Sequence, residues 1–202
     1  MSLLKLDKVC AAPWGEFLLH QIDLVLTAGE VLGIIGPNGA GKSSLLKLLS
    51  GDITQTAGSY DLLGTAISDW EPLPRARILA VLPQFSLLNF PYTVEEVILL
   101  GRTPHSTGLD SDRVILQEVM AATDTASLQS RIYTELSGGE KQRVQLARVF
   151  AQVWRDEGSP RVLLLDEPTT ALDLAHQQLI MESIKALAAT GCGVVMVAHD
   201  FN

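Results

Sequence analysis

The run Gly36-Pro37-Asn38-Gly39-Ala40-Gly41-Lys42-Ser43 satisfies G-x-x-x-x-G-K-[ST], a pattern whose glycines let backbone amides turn inward around phosphate oxygens at a helix N-terminus. Lys42 is placed to neutralise the outer phosphates and Ser43 to ligate magnesium, with Ser44 beside it in the nucleotide-binding set. A glycine turn that merely caps a helix is the competing reading. Much later, Asp166-Glu167 follows an apolar run. There Asp166 could hold magnesium through water, and Glu167 could orient or deprotonate an attacking water. The competing reading is an exposed acidic turn before Pro168. Between them, Ser137-Gly138-Gly139-Glu140 has the layout of a capping box, Ser137 as N-cap and Glu140 three residues on. That does not explain two glycines in a first helical turn, each costing about 1 kcal/mol relative to alanine. A second phosphate approaching bare amides at the positive end of the helix would explain them, and a capped helix presents such amides.

Positioning these groups requires strands that end in loops. Residues 3–8 and 21–26 read as short strands, with Ile22, Leu24 and Leu26 alternating. Residues 31–35 form a continuous apolar run, expected to be a strand buried on both faces that feeds the glycine loop and a helix over 44–49. The middle of the chain reads as a strand at 78–82 and helices at 94–100 and 113–122, the first opened by a Thr93–Glu96 capping box. A buried strand at 162–165 leads into Asp166, a helix over 174–189 stops at Gly191, and a strand at 194–197 leads to His199.

With 202 residues, 47% of them hydrophobic, the chain can bury the core of a single domain. A net charge of -8 argues against nucleic acid as a partner, because phosphate-backbone binding depends on clustered Lys and Arg. No apolar run reaches the roughly 18 residues of a membrane span, and residues 1–8 lack a signal-peptide layout, so a cytosolic location is expected. Cys10 and Cys192 are far apart, and His20, His105, His176 and His199 show no ligand spacing. Reduced thiols and no structural zinc are expected.

Leu136-Ser137-Gly138-Gly139-Glu140, continued by Lys141-Gln142-Arg143-Val144-Gln145-Leu146-Ala147-Arg148, resembles the signature helix of ABC ATPases. The resemblance covers essentially the whole chain. It implies an α/β phosphate-loop NTPase: a RecA-like core, an N-terminal antiparallel β subdomain and a helical subdomain inserted at about 86–152. It also implies a head-to-tail homodimer in which each ATP lies between one subunit's phosphate loop and the other's Ser137, Gly138 and Gly139. Gln84 matches the family's Q-loop glutamine, near the magnesium and the membrane-subunit surface. Asp173 matches the D-loop, though it reads equally well as a helix N-cap, and His199 matches the switch histidine that contacts the terminal phosphate. Where the family stacks adenine on an aromatic, Ala11 and Ala12 occupy the neighbourhood, leaving Trp14 as the nearest candidate or a packing residue. The chain ends at Asn202, where family members continue, and so reads as a truncated member.

Asp69-Trp70-Glu71-Pro72, the segment from Phe90 to Ile98, Arg143 to Trp154, and Ala171-Leu172-Asp173-Leu174-Ala175-His176-Gln177-Gln178 look like those of bacterial haem-import ATPases. That branch implies a peripheral subunit on the cytoplasmic face of the inner membrane. It would work with transmembrane permease subunits and, indirectly, a periplasmic solute-binding protein. Ferric siderophore and cobalamin importers remain alternatives. More distant ones are a non-transport ABC ATPase, a phosphate-loop kinase, and a regulatory cassette that binds nucleotide without turnover.

Overall fold

Alternating apolar residues at the start of the chain form an antiparallel sheet. Strand β1 (Ser2–Ala11) lies between β2 (Leu19–Thr27) and β4 (Ala57–Leu62), with the short β5 (Thr65–Ala66) at the edge. The computed structural model describes residues 2–12, 18–84, 88–154 and 159–198. Ile22, Leu24 and Leu26 face the core on β2, as their spacing predicts. The pairing of β1 shifts register between Leu6 and Val9, with Lys8 at a φ of 47°. Such a bulge bends the strand and lets one sheet wrap around the core.

The second sheet is parallel, in the order β3 (Val31–Ile34), β8 (Gly193–Val197), β7 (Val162–Asp166), β6 (Leu79–Leu82). Every residue of β7 is buried, as four apolar residues in a strand covered on both faces should be, and the burial extends to Asp166 at its end. Its side chains alternate between two cores. Val162 and Leu164 join β1, β2 and helix α1 (Lys42–Ser50), whereas Leu163 and Leu165 join α3 (Val94–Leu99), α4 (Leu109–Ala122), α5 (Gly138–Val153) and α6 (Leu174–Ala189). Strand β3 departs from expectation. Among the described residues it pairs only with β8, and Val31 and Ile35 are 39% and 66% exposed. An apolar run signals a strand but not its place in the sheet, and among the described residues that place is an edge.

The region before β6 holds two further surprises, β4 and a short helix α2 (Pro72–Ile78) that buries none of its residues. The capping boxes at Thr93–Glu96 and Ser137–Glu140 are both formed, and Asp173 caps α6 by accepting from the His176 amide at 2.9 Å. Helices α3, α4 and α5 follow β6 and precede β7 in the chain; residues 86 and 87 of the expected helical insertion lie outside the described residues.

The turn that ends α3 packs against α5 so closely that a Cβ at Gly101 would stand 2.1 Å from the Arg148 carbonyl oxygen. Backbone cannot yield there as a flexible side chain could. Gly101→Ala is therefore expected to destabilise the protein by about 3 kcal/mol or more, the upper end for overpacking. Thermal unfolding followed by circular dichroism checks this, and an unchanged midpoint would show that the two helices can part without cost.

Candidate nucleotide-binding site

The parallel strands deliver their loops to one edge. β3 runs into the glycine loop, which opens α1; β6 ends just before Pro83-Gln84; β7 ends on Asp166. Gly41 adopts a φ of 89° at the N-cap of α1, and a Cβ there would lie 3.2 Å from the Leu18 carbonyl oxygen. Both conditions favour glycine. No described side chain caps α1, so its first-turn amides are left for an external acceptor.

Two cavities meet at this edge. The first, about 370 Å³, is lined by Asn38, Gly39, Lys42, Ser43, Gln84 and Glu167, among others. The second, about 290 Å³, is lined by Ser43, Lys47, Gln84 and Asp166, among others. Ser43 and Gln84 belong to both and stand at the junction. The Lys42 ammonium lies over the loop, donating to the carbonyl oxygens of Gly36 and, at 3.1 Å, Pro37.

Asp166 is buried, and its Oδ1 has no hydrogen-bond partner among the described residues. Burial pushes its carboxyl above the usual range. The Ser43 hydroxyl opposes the shift, the charge of Glu167 adds to it, and Lys42 and Lys47 oppose it. A buried carboxylate with an unsatisfied oxygen, beside a serine hydroxyl and a glutamine, fits a hard divalent cation, which takes oxygen ligands.

Glu167 is held differently. Its backbone sits at a φ of 51°, a conformation costing a non-glycine residue roughly 1–3 kcal/mol that persists only where the surroundings enforce it. Its amide donates to the Val197 carbonyl at 3.2 Å, fastening the turn to the end of β8, and the Thr170 hydroxyl donates to Oε2 at 3.3 Å. Glu167 lines the first cavity and Asp166 the second.

Ser137, Gly138 and Gly139 line neither cavity. Ser137 and Gly138 are exposed at the tip of α5, and a Cβ on Gly138 would meet nothing within 4 Å. Gly139 has a second reason to lack a side chain, because its Cβ would stand 3.1 Å from the Ala171 carbonyl oxygen. The Glu140 carboxyl lies below its usual range because the Ser137 amide and hydroxyl bond to it. Asp173 is exposed and absent from both cavities. His199 and the adenine candidate Trp14 lie outside the described residues. Sequence reading overlooked Lys47, whose i+4 spacing from Ser43 on α1 was the available signal. It also overlooked Gln142, which donates to the Pro168 carbonyl at 3.1 Å and ties α5 to the loop after Glu167.

Fold and pocket together define a phosphate-loop NTPase, with a glycine loop between a parallel strand and a helix and an acidic strand end beside it. The chain belongs to the ABC transporter family, whose model matches residues 19–170. It is 54% identical over 191 residues to the hemin import ATP-binding protein HmuV of Gloeobacter violaceus, spanning 93% of this chain and 70% of that protein. It is 48% identical over 201 residues to the protein of the same name from Pseudomonas fluorescens, spanning 99% of this chain and 78% of that one. Among solved structures, a dimeric bacterial ABC transporter cassette superposes with a TM-score of 0.84 at 27% identity, over 98% of this chain and 89% of that one.

Proposed function

We propose that this chain hydrolyses ATP to power haem import across the bacterial inner membrane, as a head-to-tail homodimer on the cytoplasmic face of transmembrane permease subunits. The observation that carries the hydrolytic part is the convergence of Lys42, Ser43, Gln84 and Glu167 on one cavity. The haem part rests on the similarity to two hemin import ATP-binding proteins at 54% and 48% identity. A periplasmic binding protein would hand haem to the permease, so no haem contact is assigned to this chain.

Lys42 and the amides at the start of α1 bind and orient the phosphates, as pre-placed donors at a helix N-terminus do. Ser43, Gln84 and Asp166 would hold magnesium, which when bound neutralises charge on the terminal phosphates. Glu167 accepts a hydrogen bond from water on the cavity side and positions it for in-line attack on the terminal phosphorus. His199 and the partner-facing Ser137, Gly138, Gly139 and Asp173 complete the site from the switch end and across the dimer interface. Closure around ATP and reopening after hydrolysis would pass to the permease near Gln84.

Uptake by vesicles carrying the chain, its permease and its binding protein tests the assignment. ATP-dependent accumulation of haem, in preference to ferric siderophore and cobalamin, is the expected result. Accumulation of either alternative with no haem would overturn the substrate, and uptake without ATP consumption would overturn the energy source.

A further inference from the structure

Away from the nucleotide pocket, the turn after α4 and the helices α5 and α6 meet at His176, on the first turn of α6. Its ring Nδ1 lies 2.8 Å from Asp173 Oδ2. A carboxylate only accepts, so Nδ1 carries a proton whatever the state of the ring. The other nitrogen, Nε2, faces two groups at once: the Arg143 guanidinium, in hydrogen-bond contact through Nη1, and Asp124 Oδ2 at 3.2 Å. A guanidinium only donates and a carboxylate only accepts. Nε2 can therefore serve Arg143 with a lone pair when the ring is neutral, or Asp124 with a proton when the ring is charged, but not both.

The two choices tie different elements together. Arg143 belongs to the helix that Ser137 opens, and Asp173 closes the loop that begins at Glu167. The same loop is held by Gln142 on Pro168 and by Gln177, which donates to the Leu172 carbonyl at 2.9 Å. A neutral His176 thus bridges the signature helix to the loop through Arg143 and Asp173. A charged one exchanges α5 for Asp124, which follows α4. The charged groups facing the ring are Asp173 at the start of α6, Asp124 in the turn after α4 and Arg143 on α5.

We infer that His176 is a positioning residue that couples the signature helix to the Glu167 loop while its ring is neutral, and that protonation transfers Nε2 from Arg143 to Asp124 and releases the couple. The effect on turnover rests on the ATPase reading above; the exchange of partners does not. His176 is not placed on the nucleotide, so the expected signature is a fall in kcat of about threefold or more once acid pH protonates Nε2, with KM for ATP within about twofold. His176→Gln, whose amide oxygen can accept from Arg143 at every pH, is expected to lose that acid limb. Asp124→Asn removes the carboxylate that takes the Nε2 proton, so it should keep kcat at about pH 8 and lessen the loss at acid pH. Nitrogen-15 NMR of the imidazole follows Nε2 in the absence of ATP, and the Nε2 signal of the protonated ring, which loses its carboxylate acceptor, should change in Asp124→Asn. An acid limb unchanged in His176→Gln, or an Nε2 signal of the protonated ring unchanged in Asp124→Asn, would overturn the inference. If the protein hydrolyses no ATP at any pH, the ATPase reading fails, and the Nε2 signal alone decides the partner exchange.

Discussion

Replacing Glu167 with glutamine is expected to lower kcat for ATP hydrolysis by about two to four orders of magnitude, the range supplied by a positioned general base. In barrier terms this is about 3–5 kcal/mol. Binding should survive for two structural reasons. The amide keeps the length of the side chain and an oxygen that can accept from the Thr170 hydroxyl, as Oε2 does now, so the turn after β7 keeps its fastening. The charge of Glu167 also raises the Asp166 carboxyl; removing it lets Asp166 ionise more readily, so the cation site is strengthened rather than lost. The variant should therefore hold ATP and accumulate as a nucleotide-bound dimer, seen by size-exclusion chromatography with light scattering, while phosphate release falls. Near-normal phosphate release would remove Glu167 from the role of base and leave its strained backbone without a catalytic explanation.

The chemistry of the pocket was legible because it is local. A glycine loop declares its conformation through residue types, and an acidic pair after four apolar residues declares a strand end. Capped helices were equally legible, since Thr93, Ser137 and Asp173 are short acceptors at the head of amphipathic stretches. What escaped depends on partners far away in the chain. Strand β4 carries only Tyr60 and Leu62 to the core and Gly58 at a bulge, too sparse an alternation to read. Helix α2 contains Pro72 and Pro74 and buries nothing, so neither propensity nor period announces it. Among the described residues β3 stands at the end of the order β3-β8-β7-β6, and strand order is invisible in a single apolar run. The Arg143–His176 contact spans 33 positions and joins two helices with unrelated local patterns.

The same distinction bears on whether Lys42 and Ser137 of one chain act on one nucleotide. Among the described residues Ser137, Gly138 and Gly139 line neither cavity at the glycine loop, and the tip of α5 opens outward. A head-to-tail dimer would bring the Ser137 of one subunit to the Lys42 of the other. Two crippled chains should then rescue each other. In a Glu167→Gln background that retains ATP, Lys42→Ala spoils the loop half of every site and Ser137→Arg blocks the signature half. Each variant alone should trap almost no nucleotide, because both sites of its dimer contain one bad half. Mixed dimers differ: one site collects both lesions and the other collects neither. With random pairing about half of all dimers are mixed, so the mixture should trap roughly one nucleotide per two dimers. Losing the Ser137 cap costs about 1 kcal/mol, which circular dichroism can separate from a failure to fold. If both motifs of a single chain served the same ATP, mixing would restore nothing, since every chain in the tube carries one of the two lesions.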